Sequence, residues 1–263
     1  MIDIVDKTFV LGLKNKETEI RNYFDKHFLP EKLTYHFTEG VGAQHNDGQV
    51  TSSLWDILCH NTIDKVSIDI FKNHLQMIQT AYDDTSVQHA LFLEDDARFP
   101  SWNSSKWERI QAWLHEHLHR WDIFYLGYCN WPYPWSTFAT KDIVQIASPL
   151  TAHAYILNRQ GMAKILSIVQ QNPHYRNTLH IDKLFTMIPS FQKYGMYPMA
   201  SFQEKCPGLY LKACDKLKVR ILFKTCCQWN EQFSVVFPFV IIFVSVFFIS
   251  KFLGKIKIFG INK

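Results

Sequence analysis

No block of consecutive lysines and arginines runs through these 263 residues, and the formal net charge is only +4, so a nucleic-acid partner is not implied. No CxxC pair occurs among the six cysteines, Cys59, Cys129, Cys206, Cys214, Cys226 and Cys227. A zinc knuckle or thioredoxin-type motif therefore has no support, and the even number permits disulfides without demanding them. Internal repeats and low-complexity linkers are missing too. Charged residues are 20% and aromatics 15%, so most of the chain can bury a core, and disorder is not its general state. The length allows one large domain or two small ones. A secretory leader is not read at the start. Met1 to Asp6 carries two acids, and the apolar run Thr8–Leu13 is short and followed by Lys14-Asn15-Lys16-Glu17, so it reads as a first strand.

The far end of the chain carries what the rest lacks. Phe233 to Ser250 contains no charged residue, which is just long enough for a spanning helix. Pro238 would kink it, as membrane helices tolerate. A helix apolar on every face belongs in a large core or a membrane, and this segment follows a modest domain. The expected organisation is a domain over residues 1–225 and a C-terminal membrane anchor with a short basic tail over 226–263. The simplest topology is a single-pass tail anchor with the N-terminal domain in the cytosol. The tail lysines Lys251, Lys255, Lys257 and Lys263 argue the other way under the positive-inside rule. Cys226 and Cys227 precede the apolar segment, a setting shared by palmitoylated cysteines and ordinary thiols.

Between these ends, strand and helix signals alternate. Thr8–Leu13, Lys32–Phe37, Ala90–Leu93, Ile123–Leu126, Ile143–Ile146 and His153–Leu157 read as strands. Glu17–His27, Val66–Tyr82, Ser105–Arg120, Gly161–Val169 and Ile181–Met187 read as helices. In Val66–Tyr82 the residues Ile68, Phe71, Leu75, Ile78 and Tyr82 fall at three- and four-residue spacing. Residues 39–53 hold Gly40, Gly42 and Gly48 and read as a loop. The alternation predicts an α/β layered fold with a largely parallel sheet.

The run Ala90-Leu91-Phe92-Leu93-Glu94-Asp95-Asp96 stands out. Four apolar residues of a buried strand end in three acids, at the strand end where open α/β sheets bind ligands. Adjacent carboxylates repel unless neutralised, and oxygen ligands of this kind suit Mg²⁺ or Mn²⁺. The same residues also fit an acidic turn.

Three other motifs carry more than one reading. His115-Glu116-His117-Leu118-His119 satisfies HExxH; on a helix, His115 and His119 would share a face, with Glu116 as base, as in zinc proteases. The metzincin continuation fails, because position 122 is Asp and position 125 is Tyr. The loop Asn130-Trp131-Pro132-Tyr133-Pro134-Trp135 concentrates aromatics that suit stacking on sugars or bases, or plain packing. Asn103-Ser104-Ser105 is a glycosylation sequon, in which Ser104 or Ser105 is expected to cap the next helix.

Several segments together resemble family 25 glycosyltransferases, which include lipooligosaccharide β-galactosyltransferases and collagen galactosyltransferases. Thr8-Phe9-Val10-Leu11-Gly12-Leu13-Lys14 is similar to the opening strand, and the run ending Glu94-Asp95-Asp96 to the acidic motif. Trp121-Asp122-Ile123-Phe124-Tyr125-Leu126-Gly127 is similar to the next strand, and residues 151–161 to an alanine-tyrosine, then glycine segment. Ile181-Asp182, Pro198 and Gln203 follow in order. Three features depart: Gly12 replaces a usual Asn, Asn73-His74 a usual Ser-His, and Lys14, Lys16 and Arg21 a regular arginine pair.

The resemblance implies a GT-A-type nucleotide-sugar-binding sheet flanked by helices. It also implies inverting transfer of a sugar, galactose among the candidates, from a UDP-sugar with Mn²⁺ or Mg²⁺. The acceptor would be a hydroxyl of a glycan, a lipid-linked glycan or a protein. The implied roles follow the chemistry. Asp96 is the first candidate metal ligand, with Glu94 at the metal and ribose end and Asp95 between them. Lys14 and Arg21 are candidates for the donor phosphates, whose departure builds negative charge. Asp182 is the candidate base for the acceptor hydroxyl. His153, His180 and Gln203 are weaker candidates, and His74 reads equally as a polar residue where its helix packs. The departures motivate a second reading, a non-catalytic sugar-binding or scaffold protein of the same fold. The zinc protease stands as a remote third.

Overall fold

The structure, a computed structural model, describes residues 3–27, 35–39, 65–99, 103–128, 136–149, 151–188 and 190–203. The apolar segment Phe233–Ser250, all six cysteines and the aromatic loop Asn130–Trp135 lie outside the described residues. Among the described residues, no helix is long and apolar enough to cross a membrane.

The strands are β1 Lys7–Gly12, β2 Tyr35–Glu39, β3 His89–Glu94, β4 Ala97–Arg98, β5 Ile123–Gly127, β6 Ser136–Thr140, β7 Ile143–Ile146, β8 Ala154–Asn158, β9 Lys193–Met196 and β10 Phe202–Gln203. The helices are α1 Glu17–His27, α2 Lys65–Asp83, α3 Ser104–Glu116, α4 Arg159–Gln171, α5 Tyr175–Thr178 and α6 Ile181–Met187, with a 3-10 turn at Lys14–Lys16. Eight strands form one sheet in the order β2-β1-β3-β8-β5-β9-β7-β6, and β4 pairs with β10 in a separate antiparallel ribbon.

The sheet is mostly parallel, as expected, with two strands reversed. Strands β1, β2, β3, β5, β6 and β9 share one direction, and only β7 and β8 oppose it: β8 runs against both β3 and β5, and β7 against β9 and β6. Apolar runs identify buried strands but carry no direction: β3, β5 and β8 all have their middle residues buried, and the antiparallel one reads like its neighbours.

Strict alternation divides the central strands between two cores. Phe9, Leu11, Phe92, Ile123, Tyr125, Tyr155 and Leu157 face one side, against Phe71, Leu75 and Ile78 of α2, Ile165 of α4 and Leu184 of α6. Val10, Leu91, Leu93, Phe124, Leu126 and Ile156 face the other, against Ile20 and Phe24 of α1 and Trp107, Ile110 and Leu114 of α3. This is the expected period of two within strands and three to four within helices. Three layers result, helices over sheet over helices.

Local signals set the element ends. The cap of α3 is Asn103, not either serine: its side-chain oxygen accepts from the Lys106 N–H at 2.9 Å, and Ser105 Oγ donates to it. Asn is among the strongest N-cap residues. The helix stops at Glu116, four residues short of the expected end, and Leu118 beyond it is 38% exposed. Asn158 closes β8 and caps α4 by accepting from the Gly161 N–H at 2.7 Å.

Candidate active site

From β1 the chain passes to β2 on one side and returns to β3 on the other. The carboxyl ends of β1 and β3 thus flank a topological switch point, where open α/β sheets bind ligands. Glu94 closes β3, and Asp95 and Asp96 form the turn into β4. Gly12 closes β1 against this turn. A Cβ there would lie 2.8 Å from Ile20 Cδ1, 3.0 Å from Phe37 Cζ and 3.2 Å from Asp95 Cβ. A larger side chain at this position would therefore require Ile20 and Phe37 to move.

The acidic turn is held from outside. Arg98 donates to the Asp95 carbonyl at 2.8 Å and lies over the Tyr23 ring at 4.5 Å. The β4–β10 ribbon then brings Gln203 back, and its amide donates to Glu94 Oε2 at 3.3 Å. Asp96 is buried and Asp95 half-buried.

Glu94 has a second donor. His74 Nε2 lies 2.9 Å from Oε1, and His74 Nδ1 lies 2.8 Å from the Tyr155 hydroxyl. His74 is fully buried, because it follows Phe71 by three residues and so falls within the apolar stripe of α2. Burial alone would raise the Glu94 carboxyl, but the His74 hydrogen bond, with lesser electrostatic help from the His74 and His153 imidazoles, outweighs it and holds the group below its usual range.

Asp182 opens α6 on the same core face and is 8% exposed. Burial pushes its carboxyl up to about 6; His180 opposes this, as does the Lys183 N–H donating to Oδ1 at 2.7 Å, while the Glu94 charge adds to the rise. The two acids divide their roles accordingly, with the charge on Glu94 and the last proton on Asp182. Beside them, the buried Tyr125 hydroxyl has no hydrogen-bond partner among the described residues.

At the carboxyl end of β5, backbone packing is tight. A Cβ on Gly127 would meet the Ser201 carbonyl oxygen at 2.2 Å and His153 Nε2 at 2.3 Å. Burial holds the His153 imidazole down to about 4, against the pull of Glu94 and the Ser201 carbonyl, so the ring is neutral at physiological pH. Gly127→Ala should cost about 1–3 kcal/mol, as overpacked cores do, and shift Ser201 and the adjoining β10. A thermal melt showing no loss would contradict this packing.

The expected residues are thus partly gathered. Glu94 ends β3 and leads into the Asp95-Asp96 turn, Gln203 bonds to it, and Asp182 and His153 are near enough to interact with its charge. Lys14 lies two residues past β1 and is exposed. Arg21 is one turn into α1, paired with Glu17 at 2.7 Å. The HExxH reading does not survive. Because α3 ends at Glu116 with His117 as its C-cap, His115 and His119 do not share a helical face. Among the described residues, no group of three or more His, Cys, Asp or Glu side chains could hold a metal ion. The sequence reading passed over Tyr155 and Tyr125 and gave His74 little weight. The available signal was a histidine inside an otherwise apolar helical stripe.

No protein-family model and no curated protein matches this chain. Among solved structures, it is similar to A197 from STIV, at 9% identity over 74% of this chain and 83% of that one, with a TM-score of 0.40. It is also similar to a UDP-glucose pyrophosphorylase complexed with UDP-glucose, at 9% identity over 81% of each chain, with a TM-score of 0.39. At these scores neither comparison assigns an activity. The class that the architecture itself defines is a mixed α/β protein with helices on both faces of one sheet and an acidic cluster at its switch point.

Proposed function

We propose that this chain is a metal-dependent inverting glycosyltransferase of GT-A type, related to family 25, which moves a sugar from a UDP-sugar to a hydroxyl of a glycoconjugate or protein. The observation that carries the reading is the Glu94-Asp95-Asp96 turn at the switch point of the sheet, with the buried Asp182 near enough for the Glu94 charge to raise its carboxyl. Galactose is the candidate sugar, from the sequence resemblance. Residues 226–263 would anchor the enzyme in a membrane by a single pass, with the domain on the cytosolic side.

The acidic turn fits a hard divalent cation. Mg²⁺ and Mn²⁺ sites of this kind use one or two carboxylates and fill the rest with water and phosphate oxygens, so a protein cluster of three ligands is not required. Asp96 and Asp95 would hold the ion; Glu94 already accepts hydrogen bonds on both oxygens. When bound, the cation neutralises charge on the departing diphosphate. Lys14 would add positive charge just past the carboxyl end of β1, and Arg21 would have to share its guanidinium with Glu17. Asp182 takes the proton of the acceptor hydroxyl as that oxygen bonds to the anomeric carbon. The bond from that carbon to the diphosphate breaks, and its electron pair leaves with the nucleotide.

The test is nucleotide release by the full-length chain from a panel of UDP- and GDP-sugars, with Mn²⁺ or with EDTA. The expected result is metal-dependent release from one donor, reduced at least about 100-fold in Asp96→Ala, the scale of losing one electrostatic stabiliser. A folded chain that neither releases nucleotide nor binds any donor by calorimetry would instead favour a non-catalytic sugar-binding or scaffold protein.

A further inference from the structure

We propose that His74, backed by Tyr155, is a positioning residue for Glu94, holding its carboxylate pre-set to accept hydrogen bonds from hydroxyls of the bound sugar nucleotide. The inference rests on the transferase reading above and assigns a role to residues that reading leaves unused.

The contacts run from core to site: His74 Nε2–H donates to Glu94 Oε1, at 2.9 Å, and His74 Nδ1 lies 2.8 Å from the Tyr155 hydroxyl, which can donate to a bare ring nitrogen or accept from a protonated one. The imidazole cannot readily turn. Its ring lies over Tyr155 with centroids 5.8 Å apart, Tyr155 lies over Phe92 at 5.2 Å, and Phe185 packs edge-on at 5.3 Å. The line therefore runs from a locked aromatic stack in the core to one acid at the site.

That acid is not fully consumed. An ionised carboxylate offers about four acceptor positions. His74 takes one and Gln203 a second, while the Glu94 side chain remains 16% exposed. A histidine serving packing alone would end on buried partners, and leucine would fill its place in the apolar stripe of α2 without needing any. This one ends on a group that solvent reaches. Holding the side chain in advance removes the rotamer entropy that each binding event would otherwise cost.

A double-mutant cycle on donor binding by the full-length chain separates positioning from plain structure, because residues acting through one another are not additive. The probes are the UDP-sugar panel, UDP-galactose first, and UDP with Mn²⁺ as the sugar-free control, all by calorimetry beside melting curves. His74→Leu is expected to weaken sugar-nucleotide binding about tenfold and Tyr155→Phe about threefold, the range of a hydrogen bond to a charged group. His74→Gln, which keeps an N–H donor, should recover most of the loss. In a Glu94→Gln background, His74→Leu should add less than about twofold, because its target is already altered. A full tenfold loss on top of Glu94→Gln would overturn the positioning role and leave the transferase reading standing. Should His74→Leu fail to fold, Tyr155→Phe carries the same cycle with its ring packing kept. A wild-type chain that binds no sugar nucleotide would overturn both.

Discussion

Asp182→Asn is expected to abolish transfer while making the folded chain more stable at neutral pH. The two effects share one cause, a carboxyl buried where it is needed as a base. Loss of a positioned base lowers rates by about 10²–10⁴. The stability effect follows from linkage. In the unfolded chain the carboxyl sheds its proton near 3.8, but in the folded chain burial holds the proton until about 6. Between those values the folded state binds more protons than the unfolded state, so stability falls as pH rises, and the whole cost is present above about 6. At about 1.4 kcal/mol per pH unit, the penalty is at most about 3 kcal/mol. Asparagine has no charge to bury and keeps an oxygen for the Lys183 N–H. Its gain should be largest at pH 7 and vanish near pH 4.

His153 runs the other way. Its folded value, about 4, lies below its ordinary 6.5, so its contribution is present above 6.5 and is lost as pH falls towards 4. In the wild type the two trends oppose each other between about 4 and 6. In Asp182→Asn the histidine trend is left alone, and acidification should destabilise the variant more steeply than the wild type. Melting curves from pH 4 to 8 would decide. A variant less stable than wild type at pH 7, or one with an unchanged slope, would remove Asp182 from this role. In the active enzyme, the requirement for an ionised Asp182 predicts loss of transfer as pH drops below about 6.

Asp122→Ala is expected to cause the largest loss of stability, with specific activity per folded molecule unchanged. Asp122 is buried just ahead of β5, at the end of that strand away from Gly127. Its Oδ2 accepts from Lys164 Nζ and from the Gln192 N–H, both at 2.8 Å, and its carbonyl accepts from the Asn158 N–H. These bonds tie β5 to α4, β8 and the approach to β9. Removing one partner of a buried ion pair costs about 3–5 kcal/mol, because the other is left without compensation. Asp122→Asn keeps an acceptor for the Gln192 N–H and should cost less. Urea denaturation gives the midpoints, and donor turnover normalised to folded protein gives the activity. A loss of turnover in fully folded Asp122→Ala would mean that this end of the sheet reaches the site.

The amino-acid sequence by itself determined most of the elements. Three spans, Glu17–His27, Ile143–Ile146 and Ile181–Met187, match their sequence reading residue for residue, because a periodic apolar pattern with clear flanks specifies a segment locally. It also placed the three acids at the end of a buried strand. What it could not carry was direction and company. Strand β8 is as apolar as β3 and β5 yet runs against both, since buried runs look alike either way. The short β9 carries Lys193 and Gly195 among its four residues and so shows no apolar run, and β4 and β10 hold only two residues each. HExxH failed because the helix beneath it stops at Glu116, a matter of where the chain turns into Trp121, whose indole N–H donates to the Leu114 carbonyl. Only the tertiary structure set His74 between Tyr155 and Glu94, residues 81 and 20 positions away, and Gln203 on the same carboxylate. Those bonds cross from helix to sheet and from one strand end to another, and no local spacing encodes them.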